Sequence, residues 1–313
     1  MKNSMLIHPE ELTKKWIDRL ADAGVGALGI HPRGGSVAVA SLKELIEQMK
    51  TKEYRELIDY AHDRGLEVEY EMHTAGYLMP RELFKEHPEY FRMNDRGERV
   101  ADCNFCVSNG EAMTIVAKRA AELAGQLYGS SRNFYFWMDD VRGVRCQCPR
   151  CKELSSSDQA LTIYNRIVFE IRKYIPDAHV AHLAYQDTIV PPTKVLPAEG
   201  VFLEYAPYEK YAAPAENAAE LIEREKRMVA PLMKMFENAP MKVLEYWYDN
   251  SLFSKWKKPP VKFNLDEETM KKDISEYRKM GFDAISTFAC FLGDDYEEMH
   301  GIFDITPFGK AIK

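Results

Sequence analysis

Two aspartates, Asp139 and Asp140, stand side by side where the aromatic run from Asn133 to Trp137 ends. Neighbouring carboxylates push their pKa values apart, so one can hold a proton while the other stays ionised. Acid/base cleavage of a bond to oxygen needs that division of labour. Consecutive strand side chains point to opposite faces, so the pair can serve one substrate only if the strand has already turned into loop. The plainer reading is that one aspartate caps that loop through backbone amides.

Other titratable residues recur near the ends of apolar runs. In "LEVEYEMH", Leu66, Val68, Tyr70 and Met72 share one strand face, and Glu67, Glu69, Glu71 and His73 share the other. In "MKVLEYWYDN", Val243, Glu245, Trp247 and Asp249 share one face, the one that would bring Glu245 to the site. Glu204 ends "VFLE", His182 lies mid-strand, and His31 precedes the turn "PRGG". Charge inside a fold is costly unless it is paired or functional, which leaves two readings for each residue. Glu69 and Glu204 suit a buried salt network, His182 suits a satisfied interior histidine, and His31 suits a loop cap. Convergence of His31, Glu71, His73, Asp139, Asp140 and Glu245 at one end of the fold is the stronger signal.

Three cysteines follow the aspartates as Cys146-x-Cys148-x2-Cys151, and Cys103-x2-Cys106 precedes them. Cys106, Cys146, Cys148 and Cys151 are the candidate ligands of a closed, structural zinc site that would pin two loops without doing chemistry. Reduced loop cysteines and a redox pair are the alternatives.

Eight apolar runs read as strands, near Ser4–His8, Gly26–His31, Leu66–His73, Asn133–Asp139, His179–Tyr185, Val201–Tyr205, Lys242–Tyr248 and Ala284–Phe288. Helical patterns separate them, clearest at Pro9–Ala23, Leu42–Arg64, Gly110–Tyr128, Ser157–Ile175, Ala215–Glu237 and Asp266–Met280. Glycines stop several of these just before a strand, as in "ADAGVG" and "RKMGFDAI". Alternation of this kind implies parallel strands, and eight units in 313 residues predict an α/β fold, a (β/α)8 TIM barrel, as one domain over residues 1–313. A doubly wound sheet is the runner-up. The long connections Thr74–Asn109 and Asp140–Ser157 follow the third and fourth strands, on the face where barrel enzymes place their sites.

The net charge of −7 argues against a nucleic-acid surface. No run approaches the roughly 18 apolar residues of a membrane span, and "MKNSMLIHPEELTKK" has no apolar signal core. The expected location is the cytoplasm, with no nucleic-acid or membrane partner.

Four segments occur in a characteristic order: "HPEYFRMNDRGER" (His87–Arg99), "CVSNGEA" (Cys106–Ala112), "CQCPRC" (Cys146–Cys151) and the stretch Tyr164–Tyr185. This order resembles the bacterial family of unknown function numbered 4838, which includes glycoside hydrolase family 163. The resemblance spans about residues 65 to 210 and implies a barrel glycosidase acting on N-acetylglucosaminides. "FYFWMDDVRG" separately resembles the fourth-strand end of the O-GlcNAcase-type hexosaminidases of glycoside hydrolase family 84. That likeness implies that Asp139 orients and polarises the substrate's 2-acetamido group and that Asp140 is the general acid/base.

The expectation is therefore a glycosidase for β-linked N-acetylhexosaminides that needs no catalytic cofactor and takes a small carbohydrate or glycoconjugate. His31, Glu71, His73, Glu204 and Asp249 would grip hydroxyls, and Trp137, Tyr185, Tyr205, Trp247 and Tyr248 would face the sugar. A two-carboxylate mechanism would instead pair Asp140 with Glu245 or Glu71 as nucleophile about 5 Å away, or further for inversion. A barrel metal centre built on His31, His73 and His182, and a sugar-binding barrel without turnover, are the remaining alternatives.

Overall fold

Local chemistry sets the helix boundaries in the computed structural model, which describes residues 1–212 and 218–313. Thr13 caps the helix Lys14–Ala23 by accepting from the Trp16 N–H, and Gly24 ends it at φ 78°, a left-handed turn that side chains rarely adopt. Asn109 caps Gly110–Gln126, Ser155 and Asp158 form a capping box on Ser156–Ile171, and Asp266 caps Glu267–Met280. The helix expected over Leu42–Arg64 is two helices, Ala38–Gln48 and Lys52–Asp63, because Thr51 caps the second. The expected start of the next-to-last helix, Ala215, lies outside the described residues; Ala218–Met235 is helical.

The strands are β1 (Ser4–Ile7), β2 (Ala27–Ile30), β3 (Glu67–His73), β4 (Asn133–Trp137), β5 (His179–Ala184), β6 (Val201–Tyr205), β7 (Met241–Glu245) and β8 (Ala284–Phe288). Each pairs in parallel with the next, and β1 pairs with β8 through Ser4 opposite Ser286, so the sheet closes into a barrel in chain order. This is the (β/α)8 architecture read from the alternation.

Outward-facing strand residues such as Met5, Leu28, Val68, Phe134 and Val180 join the apolar layer under the helices. Inside the barrel, apolar residues including Leu6, Tyr135, Phe202 and Leu244 share the space with a charged ladder. Lys242 Nζ, fully buried, donates to Glu69 Oε2 (2.8 Å), Glu71 Oε1 (2.6 Å) and the Tyr135 hydroxyl (3.1 Å). Tyr135 donates to Glu69 Oε1 (2.9 Å), and the Trp137 indole N–H donates to Glu204 Oε2 (2.7 Å). Burial works against the Lys242 ammonium, but the three glutamates outweigh it and hold its pKa above the ordinary value. Burial pushes the pKa of Glu71 up, and pushes that of Glu204 well up with repulsion from Glu71 adding to it.

β7 takes the opposite parity from the one expected. Lys242, Leu244 and Tyr246 face the barrel interior, and Val243, Glu245 and Trp247 face the helices. A lysine in the barrel looks improbable by residue type alone; the three acids waiting there reverse the preference.

Candidate active site

The C-terminal end of the barrel opens into a cavity of about 480 Å³. His31, His73, Trp137, Tyr185, Asp140 and Asp249 line it, all six singled out from sequence. A smaller alcove of about 80 Å³ adjoins it and is lined by Asp139 and Asp140. His73, Asp140, Leu183 and Tyr185 belong to both walls, so the two spaces meet at Asp140.

β4 ends at Trp137, and the chain has turned by Asp140, which meets the condition set by strand alternation. Asp140 is exposed on the rim. Asp139 Oδ2 is ion-paired with Arg81 Nη2 and accepts the Asn104 backbone N–H (2.5 Å). The Asn104 side chain accepts the Asp139 backbone N–H in return (3.1 Å). The loop after β3 thus fixes the first aspartate and leaves the second on the rim.

Three histidines are held alike. Nδ1 of His8, His31 and His73 faces the backbone carbonyls of His31 (2.8 Å), Glu71 (2.8 Å) and Met138 (2.7 Å) respectively. A carbonyl only accepts, so each Nδ1 donates, and Nε2 is the remaining polar atom of each ring. Burial lowers His31 well below its ordinary pKa, with His8 and His73 adding to the effect, and burial also lowers His8. Gly34, from "PRGG", packs so closely that a Cβ there would sit 2.9 Å from the His73 ring.

Asp249 lies across the cavity. Its Oδ1 accepts the N–H groups of Ser251 (3.1 Å) and Leu252 (3.2 Å) and the Ser251 hydroxyl (2.5 Å). Burial pushes this carboxyl up to about 6, against the pull of those donors. Aromatic rings complete the walls: Tyr208 lies 5.6 Å from Tyr185 and 5.4 Å from Tyr246, which in turn lies 5.2 Å from Phe288. Flat apolar rings beside polar groups match the alternating apolar and hydroxylated faces of a pyranose.

Six of the expected site residues are elsewhere. Glu71 and Glu204 are fully buried in the charged ladder beneath Trp137 rather than on the cavity wall. Glu245 points outward, where Lys210 (2.5 Å), Tyr211 (2.7 Å) and Tyr277 bind its carboxylate. Tyr205 bonds Glu225, Trp247 bonds Asp273, and Tyr248 donates to the Asp304 carbonyl; each faces the helix layer. The two-carboxylate partners named from sequence therefore do not meet Asp140. His182 is also outside the site, stacked on Phe236 in the helix layer, so it cannot join His31 and His73 on a metal. It is interior as expected but not satisfied, since among the described residues neither buried ring nitrogen has a partner.

His8, Tyr208, Tyr246, Ser251 and Trp256 line the cavity and were missed. Tyr246 was lost with the parity of β7. Tyr208 was within reach, because continuing the alternation of "VFLEYAPY" from Glu204 puts it on the inner face.

Residues 37–287 match the family described as Domain of unknown function (DUF4838). The chain belongs to this family. No curated protein matches it. Among solved structures it is similar to endo-glycoceramidase II from Rhodococcus sp., with 10% identity, 100% of this chain and 78% of that chain covered, and a TM-score of 0.56. An endoglucanase aligns over 99% of this chain and 96% of its own with 11% identity and a TM-score of 0.56. A hyperthermophilic endo-β-1,4-glucanase, solved with substrate, aligns over 96% and 89% with 12% identity and a TM-score of 0.54. At these identities the likeness is one of fold. Among the described residues no helix is long and apolar enough to cross a membrane.

Proposed function

We propose that this DUF4838 chain is a glycoside hydrolase that cleaves β-linked N-acetylhexosaminides with help from the substrate's own acetamido group. One observation carries the reading: Asp140 borders both the large cavity and the alcove, whereas the adjacent Asp139 borders the alcove alone, clamped by Arg81 and Asn104. A sugar ring in the large cavity would place its acetamido group toward the alcove, within reach of a fixed acceptor. Barrels of this fold that act on glycosides, such as the glycoceramidase and glucanases above, support the class but not the sugar.

In this mechanism the acetamido oxygen attacks the anomeric carbon as the glycosidic C–O bond breaks. Asp140 delivers its proton to the departing oxygen, and Asp139 accepts a hydrogen bond from the acetamide N–H as positive charge develops there. Water then opens the resulting oxazolinium at the anomeric carbon and returns a proton to Asp140. Such substrate assistance is a recognised exception to the two-carboxylate scheme. His8, His31 and His73 would hold hydroxyls through Nε2.

Asp140→Asn should lower turnover of an aryl N-acetylglucosaminide by on the order of 10²–10⁴-fold, with the smallest loss on the most acidic phenol leaving group. Asp139→Asn should lower turnover whatever the leaving group, and a thiazoline mimic of the oxazolinium should raise the melting temperature. Unchanged turnover in Asp140→Asn would discard the assignment.

A second reading rests on Asp249, which shares the large cavity with Asp140 and whose carboxyl is pushed up to about 6 by burial. Asp140 and Asp249 would then act as a carboxylate pair on glycosides that lack an acetamido group. Equal turnover of glucosides and N-acetylglucosaminides, with no response to thiazoline, would favour it.

A further inference from the structure

Four of the six cysteines gather outside the cavity, at the junction of the loops after β3 and β4. The sulfurs of Cys106, Cys146, Cys148 and Cys151 all lie within 4.8 Å of one another and are buried. Cys106 Sγ is 3.7 Å from Cys148 Sγ and 3.9 Å from Cys151 Sγ. A tetrahedron with zinc–sulfur arms of about 2.3 Å has edges of about 3.8 Å. Cys103 is not part of the group; its sulfur turns to Asp102 (3.5 Å).

The surroundings suit thiolates. The Met93 N–H and Arg99 Nη1 approach Cys146 Sγ at 3.4 and 3.9 Å. The Ser108 hydroxyl lies 3.3 Å from Cys106 Sγ and 3.5 Å from Cys148 Sγ. The knuckle is held from behind: Gln159 accepts the Cys146 N–H (3.0 Å) and donates to the carbonyls of Cys146 (2.9 Å) and Cys151 (3.1 Å). Donors on the sulfurs and a braced backbone are what orient the ligands of a metal site.

We propose that Cys106, Cys146, Cys148 and Cys151 bind one zinc ion as four thiolates, clamping the loop after β3 to the loop after β4. Four protein ligands close the coordination sphere, so the ion is structural and performs no chemistry. Its consequence for the cavity is positional. Cys106 lies two residues beyond Asn104, whose backbone and side chain hold Asp139 and whose Nδ2 also reaches the Val144 carbonyl (3.3 Å) in the other loop. A clip across some forty residues of chain suppresses much of the conformational freedom these two loops would otherwise have.

The test uses the intact chain, grown with ample zinc and freed of any histidine tag. Elemental analysis should find one zinc per chain, and a mercurial thiol reagent should release it as the four thiols react. Cobalt(II) exchanged into the protein should give the thiolate-to-metal charge transfer and intense visible bands of a tetrahedral tetrathiolate site. Cys148→Ser should lose the ion and melt several degrees lower; if that variant does not fold, the cobalt spectrum of the parent still decides. Zinc far below one per chain, iron in its place, disulfides among the four cysteines, or an octahedral cobalt spectrum would each overturn the proposal. None of these readouts involves a substrate, so they stand apart from the glycosidase reading.

Discussion

Three acidic residues of the barrel interior and three of its rim have different surroundings. Glu69, Glu71 and Glu204 are fully buried around Lys242, whose three hydrogen bonds go to Glu69, Glu71 and Tyr135. Asp139, Asp140 and Asp249 border open space, and their protein bonds leave part of each carboxyl for a ligand. The ladder fills the barrel and, through Glu204, orients the Trp137 ring that lines the cavity. Both groups are carboxylic acids; the supply of internal partners is what sets their surroundings apart.

That contrast predicts a double dissociation. Lys242→Met removes the cation from among three buried carboxyls and should lower unfolding free energy by about 3–5 kcal/mol. Asp140→Asn, on the exposed rim, should stay within about 0.5 kcal/mol of the parent while turnover collapses. Urea titrations of both variants beside the parent would check this. A stability loss in Asp140→Asn matching that of Lys242→Met would erase the distinction between ladder and rim.

Asp249 stands between the two groups, being buried like the ladder yet facing the cavity. Its carboxyl, ordinarily near 3.8, is raised to about 6 in the folded chain. The folded state therefore binds more protons than the unfolded state between those values, and the stability this gives is present below about pH 4 and lost as pH rises to 6. Asp249→Asn keeps a good helix cap but removes the titration. Relative to the parent, the variant should gain stability across that window at up to about 1.4 kcal/mol per pH unit, then level off. Under the acetamido mechanism its turnover falls less than tenfold; a loss matching that of Asp140→Asn would move the site to the carboxylate-pair reading.

Much of the fold was legible because strand ends and glycine stops are local signals, and Gly24 and Gly281 do end their helices. The aspartate pair, His31, His73, Trp137 and Tyr185 were legible because they sit at strand ends, where alternation and the barrel rule together name the face. The parity of β7 was not legible. It depends on Lys242 finding Glu69 and Glu71, which lie more than 170 positions away in the chain. One misplaced parity then carried Glu245 and Trp247 into the site and Tyr246 out of it. The four cysteines were legible as one ligand set joining two long loops, and the fold does bring their sulfurs within 4.8 Å of one another.

His182 makes the contrast sharper still, because it is buried like the ladder glutamates but lacks their partners. Both ring nitrogens are enclosed beside Phe236 and Tyr164, with no hydrogen bond to them among the described residues. Burial alone lowers its pKa from 6.5 to about 3. The unfolded chain takes up this proton first as pH falls, so stability drops between pH 6.5 and about 3, by up to about 1.4 kcal/mol per unit. Leucine fills a similar volume, needs no hydrogen bond and takes up no proton. His182→Leu should therefore raise stability at pH 7 by about 1–2 kcal/mol, and by more at pH 5, with turnover unchanged. Melting curves of the two proteins at both pH values measure the difference. A destabilised variant would mean that the ring has a partner in solution, and the contrast with the ladder would then vanish.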